Sequence, residues 1–136
     1  MTRFLLDTCR AGDYIDHRRG VFERARQEVA RGNRVGICVP VLGELWYGVE
    51  LSSTRERNLH QLRRALSSLK VWPFTELAAE EFGRIFAHLK RSGRPIGRID
   101  IQIAAIALSL GNTRVVSVDS DLAVVPGLTV ENWAMA

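Results

Sequence analysis

Apolar residues fall along this chain in short blocks, and their spacing switches between that of a strand and that of a helix. Phe4-Leu5-Leu6 and Val35 to Val39 are short and continuous, as expected of buried strands. Between them the residues from Asp7 through about Arg18 read as one helix. Val21 to Arg31 read as a second, with Phe22, Ala25 and Val29 inward and Gly32-Asn33 as its stop. Pro40 suits the first turn of a third helix carrying Val41, Leu42, Leu45, Trp46 and Val49. Ser53 and Glu56 have the spacing of a capping box and open a fourth, with Leu59, Leu62, Leu66 and Leu69 on one face. Val71-Trp72-Pro73-Phe74 suits an edge strand, because proline cannot donate to a ladder. Thr75 caps a fifth helix, with Leu77, Ala78, Phe82, Ile85, Phe86 and Leu89 inward. From Gly97 to Leu108 isoleucine and alanine recur nearly all round a helical wheel, which marks a helix buried on most sides, and Gly111-Asn112 ends it. Arg114 to Val118 then reads as a strand leading into Asp119, and Val124 to Val130 as a turn and a last strand.

Strands alternating with helices predict an α/β fold. One domain over residues 1–136 is expected, with a mostly parallel central sheet of about four or five strands and helices on both faces. No apolar run approaches the ~20 residues that cross a bilayer, and the N-terminus turns acidic at Asp7, too soon for a secretory signal. The hydrophobic share of 46% and charged share of 25% exclude fibrous and disordered classes. Cys9 and Cys38 are the only cysteines, which fits a reducing, cytoplasmic setting and offers no zinc cluster. Net charge is +4 with 17 Arg against 2 Lys. Arginine suits phosphate contacts and so a nucleic-acid partner, although a GC-rich genome leaves the same bias.

Four acids gain meaning from this layout. Sites in open parallel sheets lie beyond the carboxyl ends of the strands. Asp7 follows the first strand, Glu44 lies one turn into the helix after the second, Asp100 heads the buried helix, and Asp119 follows the strand after it. Asp7 and Asp100 are also well placed as ordinary helix caps. Four carboxylates brought together repel one another, and a bound cation removes the conflict. An all-oxygen site suits a hard ion, Mg²⁺ or Mn²⁺, which can activate water for phosphodiester hydrolysis. His17, His60 and His88 sit at exposed-looking helical positions and are expected to be surface residues.

Phe4-Leu5-Leu6-Asp7-Thr8, Val39 to Leu45 and Gly93 to Ala105 resemble three blocks of the PIN domain, and Val125 to Trp133 resembles the ending of its VapC toxin branch, all in the family order. The resemblance implies a metal-dependent endoribonuclease, the toxin of a pair held inactive by a VapB-like antitoxin, and a homodimer. It assigns Asp7, Glu44 and Asp100 as core acids and Asp119 as the fourth, with Asp121 the other candidate for that place. Asp121 is expected to accept backbone N–H bonds at the turn that begins there. Thr8 and Ser117 are expected to support the site from behind. Cys9 stands where the family usually has asparagine. Arg91, Arg94 and Arg98 flank the loop entering the Asp100 helix and suit RNA phosphates, or else form a solvated basic loop. Trp46, Tyr47, Leu59 and Leu62 offer apolar surface for an antitoxin segment, or else pack in the core. Two rivals stand beside this reading. One is a catalytically silent PIN-like binding module. The other is an Mg²⁺-dependent phosphoacceptor signalling domain, which needs a lysine after a late strand, whereas Lys70 and Lys90 both precede the buried helix.

Overall fold

The strands that form are short and all parallel. In the computed structural model, which describes residues 1–136, they are β1 (Arg3–Leu6), β2 (Arg34–Cys38), β3 (Lys70–Trp72), β4 (Thr113–Val116) and β5 (Thr129–Glu131). They lie in the order β3-β2-β1-β4-β5. β1 is central, with Leu5 opposite Gly36 on one side and Val115 on the other, and Phe4, Leu5 and Leu6 are all buried. A strand covered on both faces and both edges has no solvent side, which is why its sequence is an unbroken apolar run.

β1 connects through α1 (Thr8–Ile15) and α2 (Val21–Ala30) to β2, and β2 through α3 (Val39–Leu51) and α4 (Arg55–Leu66) to β3. α5 (Glu76–Arg91) and α6 (Arg98–Leu110) then carry the chain back past β1 to β4. These crossovers run in opposite directions along the sheet. Right-handed connection therefore puts α1–α4 on one face and α5–α6 on the other. α1 packs on α2, α3 and α4, and α5 packs along α6. Ile101 and Ile103 to Ala107 of α6 are buried, as its wheel predicts. Trp133, near the end of the chain, stacks at a tilt on Phe4 with ring centroids 5.1 Å apart.

Gly36 is fixed by a close approach. A Cβ built there would fall on the Lys70 carbonyl group and lie 2.7 Å from Lys70 Cβ, so β3 reaches its pairing distance only beside a glycine. Gly36→Ala is expected to destabilise the fold by about 2 kcal/mol, the cost of overpacking, and to loosen the β3 edge first. Urea denaturation measures the loss, and hydrogen exchange at Val71 and Trp72 locates it.

Several expectations fail locally, and β4 ends at Val116 rather than at Val118, which is exposed beyond the last pairing with β1 and β5. α1 stops at Ile15, before Arg18, because Arg18 and Arg19 fold back onto Asp13 and His17 and Arg19 adopt positive φ. Val29 is exposed, since the buried Glu28 takes the inward place and is held by Arg24, Arg31 and Asn33. Leu77 is also exposed, lying one position off the row of Ala78, Ile85 and Leu89 that α5 buries. The Ser53–Glu56 capping box does not form. Ser52 takes that place, accepting the Thr54 N–H at 3.0 Å and the Asn58 side-chain amide at 2.6 Å, and the buried Leu69 lies beyond the helix end. Thr75 does cap α5, accepting the Ala78 N–H at 3.2 Å.

Candidate active site

Ligands bind an open parallel sheet where its strand order reverses, outside the carboxyl ends. Here that point lies between β1 and β4, neighbours in the sheet but distant in the chain. The Asp7 N–H donates to the Val116 carbonyl at 3.1 Å, fixing the two strand ends side by side. α3 also touches α6, so helices from both faces meet.

Asp7 leaves β1 as the N-cap of α1 and accepts the Arg10 N–H at 2.7 Å. It is a cap and remains an acid of the crevice. Burial pushes its pKa upward. The nearby Ser117 hydroxyl, the Arg10 N–H and the Arg10 charge pull it back, and Asp119 adds repulsion. Ser117, the residue after β4, is buried and accepts the Asp119 N–H at 3.0 Å. Ser117 therefore links the loop after β4 to Asp7 at the end of β1.

Asp100 lies in the first turn of α6 but is no cap, for the position before the helix is Gly97 and no side-chain bond closes it. The Asp100 carboxyl is pushed up to about 6, first by burial and then by the charges of Asp119, Asp7, Glu44 and Asp121. Four acids from three other segments of chain thus crowd a fifth. Glu44, one turn into α3, is exposed and accepts the Thr8 hydroxyl. The local N–H-accepting role expected of Asp121 falls to Asp119 instead. Asp121 opens the short 3₁₀ turn Leu122–Val124 without a side-chain bond, and its own N–H donates to Asp119 Oδ1 at 2.9 Å. An aspartate accepting the N–H two residues ahead is an Asx turn, and Asp119 is the one that precedes the bend.

None of these five acids has a basic partner, for every ion pair in the protein engages other carboxylates. Nor are any three of them closed into a chelating group. The arrangement is a concentration of uncompensated oxygen ligands, the donor set of a hard cation. Softer chemistry has no foothold here. Cys38 is buried and its thiol is pushed up to about 11, chiefly by that burial, while Cys9 is exposed beside Thr8. His17, His60 and His88 are exposed, as expected. Lys70 opens β3 at the opposite end of the strands, and no lysine follows a late strand as a phosphoacceptor domain needs.

Arg91 at the end of α5, Arg94 on the loop and Arg98 at the start of α6 are all exposed, and none forms an ion pair with an acid. Of the apolar residues set aside for a partner, Leu62 is buried, Trp46 and Leu59 are half-buried and Tyr47 is 67% exposed. One constellation was overlooked in the sequence. Arg10, itself buried, stands 3.1 Å from the buried Asp13, and the 7, 10, 13 spacing puts acid, base and acid on one face of α1. That i, i+3 stripe was the available signal.

The PIN domain family matches residues 4–128. The chain is 36% identical over 104 residues to a tRNA(fMet)-specific endonuclease VapC from Shigella flexneri, covering 75% of this chain and 79% of the relative. It is 34% identical to a ribonuclease VapC2 of Haemophilus influenzae, over 98% of this chain and 99% of the relative. Its fold overlays the Rickettsia felis VapBC2 crystal structure, bound to promoter DNA, with a TM-score of 0.90 at 28% identity, covering 97% and 99% of the two chains. Strand order, converging acids and relatives agree that the chain belongs to the PIN-domain family, on its VapC branch.

Proposed function

We propose that the protein is an Mg²⁺- or Mn²⁺-dependent endoribonuclease and the toxin of a VapBC-type pair, acting in the cytoplasm. The observation that carries this reading is Asp100, held near 6 among four other acids, with no ion pair to any of the five. Relatives named as ribonucleases support the substrate class. Asp7 and Asp100 are the residues to hold the ion, with Glu44 and Asp119 completing the set. When bound, such an ion supplies a water of lowered pKa and neutralises charge on the leaving oxygen. The chain's own groups do the positioning. The Arg10 N–H and Ser117 hold Asp7, Thr8 holds Glu44, and the half-buried rim keeps the carboxylates in a low-dielectric edge. Arg91, Arg94 and Arg98 meet the RNA backbone.

For the antitoxin, the cleft between α1, α3 and α4, about 240 Å³, offers a mixed groove with Ile15, Leu45, Val49 and Leu62 beside Asp16, Asn58 and Gln61. Tyr47 and Leu51 stand exposed on α3 nearby, surface for the antitoxin or for the second copy of a homodimer. Purified protein should cleave RNA with Mg²⁺ or Mn²⁺, stop in EDTA, and be silenced by its antitoxin. Folded protein that leaves RNA intact with both metals overturns the reading.

The fourth acid is separately testable. Asp119 heads the list of like charges on Asp100 and also ties the β4 exit loop. Asp119→Asn is expected to lower the rate about 10- to 100-fold, the range for residues that tune a metal site indirectly, and to raise the metal concentration required. Asp121→Asn should change either by less than about threefold. Metal titrations of the two variants decide, and a larger shift in Asp121→Asn exchanges their roles.

A further inference from the structure

Where the end of α5, the loop after it and the first turns of α6 meet, the chain leaves a second concavity of about 340 Å³. Its lining is mostly apolar, with Phe86, Leu89, Pro95, Ile96 and Ile101 in it. None of the acids lines it, but it adjoins them along the chain. Ile96 lines the cavity, whereas a Cβ on the next residue, Gly97, would stand 3.8 Å from Asp100 Oδ2. Ile101 lines the cavity, whereas the residue before it is Asp100 itself.

The rim is cationic. Lys90 is part of the lining, the Arg98 guanidinium lies over the Phe86 ring at 5.3 Å, and Arg91 and Arg94 are exposed on the same loop. None of the four pairs with an acid. The Phe86 ring is braced by Phe82, with centroids 5.7 Å apart. A purely apolar ligand would leave these cations unanswered, and a bare phosphate would leave the apolar floor unfilled. A nucleotide satisfies both, for its base has flat apolar faces that stack on aromatic rings and guanidinium planes, and it carries phosphate on either side.

We propose that this cavity receives one nucleobase of the RNA, adjoining the phosphate that is cut at Asp100, while the rim cations hold the backbone. The inference rests on the ribonuclease reading above but is tested without cleavage. Amide NMR spectra of the full chain in EDTA are titrated with each of the four nucleoside 5′-monophosphates at millimolar concentration and, as control, with ribose 5-phosphate. At least one nucleotide should shift Gly93, Ile96 and Ile101 saturably, whereas ribose 5-phosphate should shift them far less. Phe86→Leu removes the ring and Ile96→Trp fills the space, and each should weaken nucleotide binding about tenfold or more with the spectrum still dispersed. Absence of a saturable shift with all four nucleotides, equal shifts from ribose 5-phosphate, or unchanged affinity in either folded variant overturns the proposal. RNA left uncut by the wild type in Mg²⁺, with nucleotide binding intact, overturns the nuclease reading instead.

Discussion

Asp100→Asn is expected to lower RNA cleavage by about 10³-fold or more while making the metal-free protein more stable at neutral pH. The first effect follows from removing a charge aimed at the reacting centre, where preorganised electrostatic groups have their largest worth. The second follows from the same crowding. Asp100 titrates near 6 in the fold against 3.8 as an ordinary aspartate, so the folded state holds an extra proton between those values. Its contribution to stability is therefore full below about pH 4 and is lost as pH rises through about 6. The distance between the two values corresponds to at most about 3 kcal/mol, and the group's partial exposure brings the expected effect to about 2 kcal/mol. In EDTA the variant and wild type should unfold alike near pH 4, and the variant should gain about 2 kcal/mol at pH 7.5. Single-turnover cleavage and urea curves at the two pH values measure both halves. Equal stability at every pH would mean that Asp100 does not feel the other acids.

Asp13→Ala is expected to cost about 3–4 kcal/mol, the largest loss from a single truncation in α1. Asp13 is 2% exposed and gathers three arginines, Arg10 at 3.1 Å, Arg19 at 3.0 Å and Arg18 at 3.7 Å. Removing it strands the buried Arg10 guanidinium, and an orphaned buried charge costs far more than a paired one returns. The change should lower the melting temperature by roughly 10 °C. Arg10→Met with Asp13→Leu takes both charges out together and should recover most of the loss, because an apolar pair of similar volume is often as stable as a buried ion pair. Thermal unfolding of the single and double variants is the check. A double variant no better than the single one would place the cost in the lost Arg18 and Arg19 contacts.

The frame of the fold and the acids of the site were legible for the same reason. A buried parallel strand must be an unbroken apolar run, and the first polar residue after it stands at the sheet edge, as Asp7 does after Leu6. α6 was legible because few helices are apolar on most sides. What escaped was decided by contacts that no local pattern records. The early stop of α1 depends on Arg18 and Arg19 reaching back to Asp13, and the burial of Glu28 on three polar contacts from Arg24, Arg31 and Asn33. The roles of Asp119 and Asp121 turned on which carboxylate precedes the bend. Phe86 read as plain core, and only the meeting of α5 with the loop after it opens the space beside its ring.

β1 pairs with β4, setting Arg3 against Thr113 and Leu6 against Val116. A ribosome releases the amino end first, so the central strand waits with one side bare while more than a hundred further residues are made. Contacts so distant in sequence form late and slowly. Asp100 and Asp119 arrive only with that partner strand or just around it. A nascent chain therefore cannot gather the candidate acids until residue 119 has left the tunnel, so this topology leaves the crevice to be assembled at the last stage of synthesis.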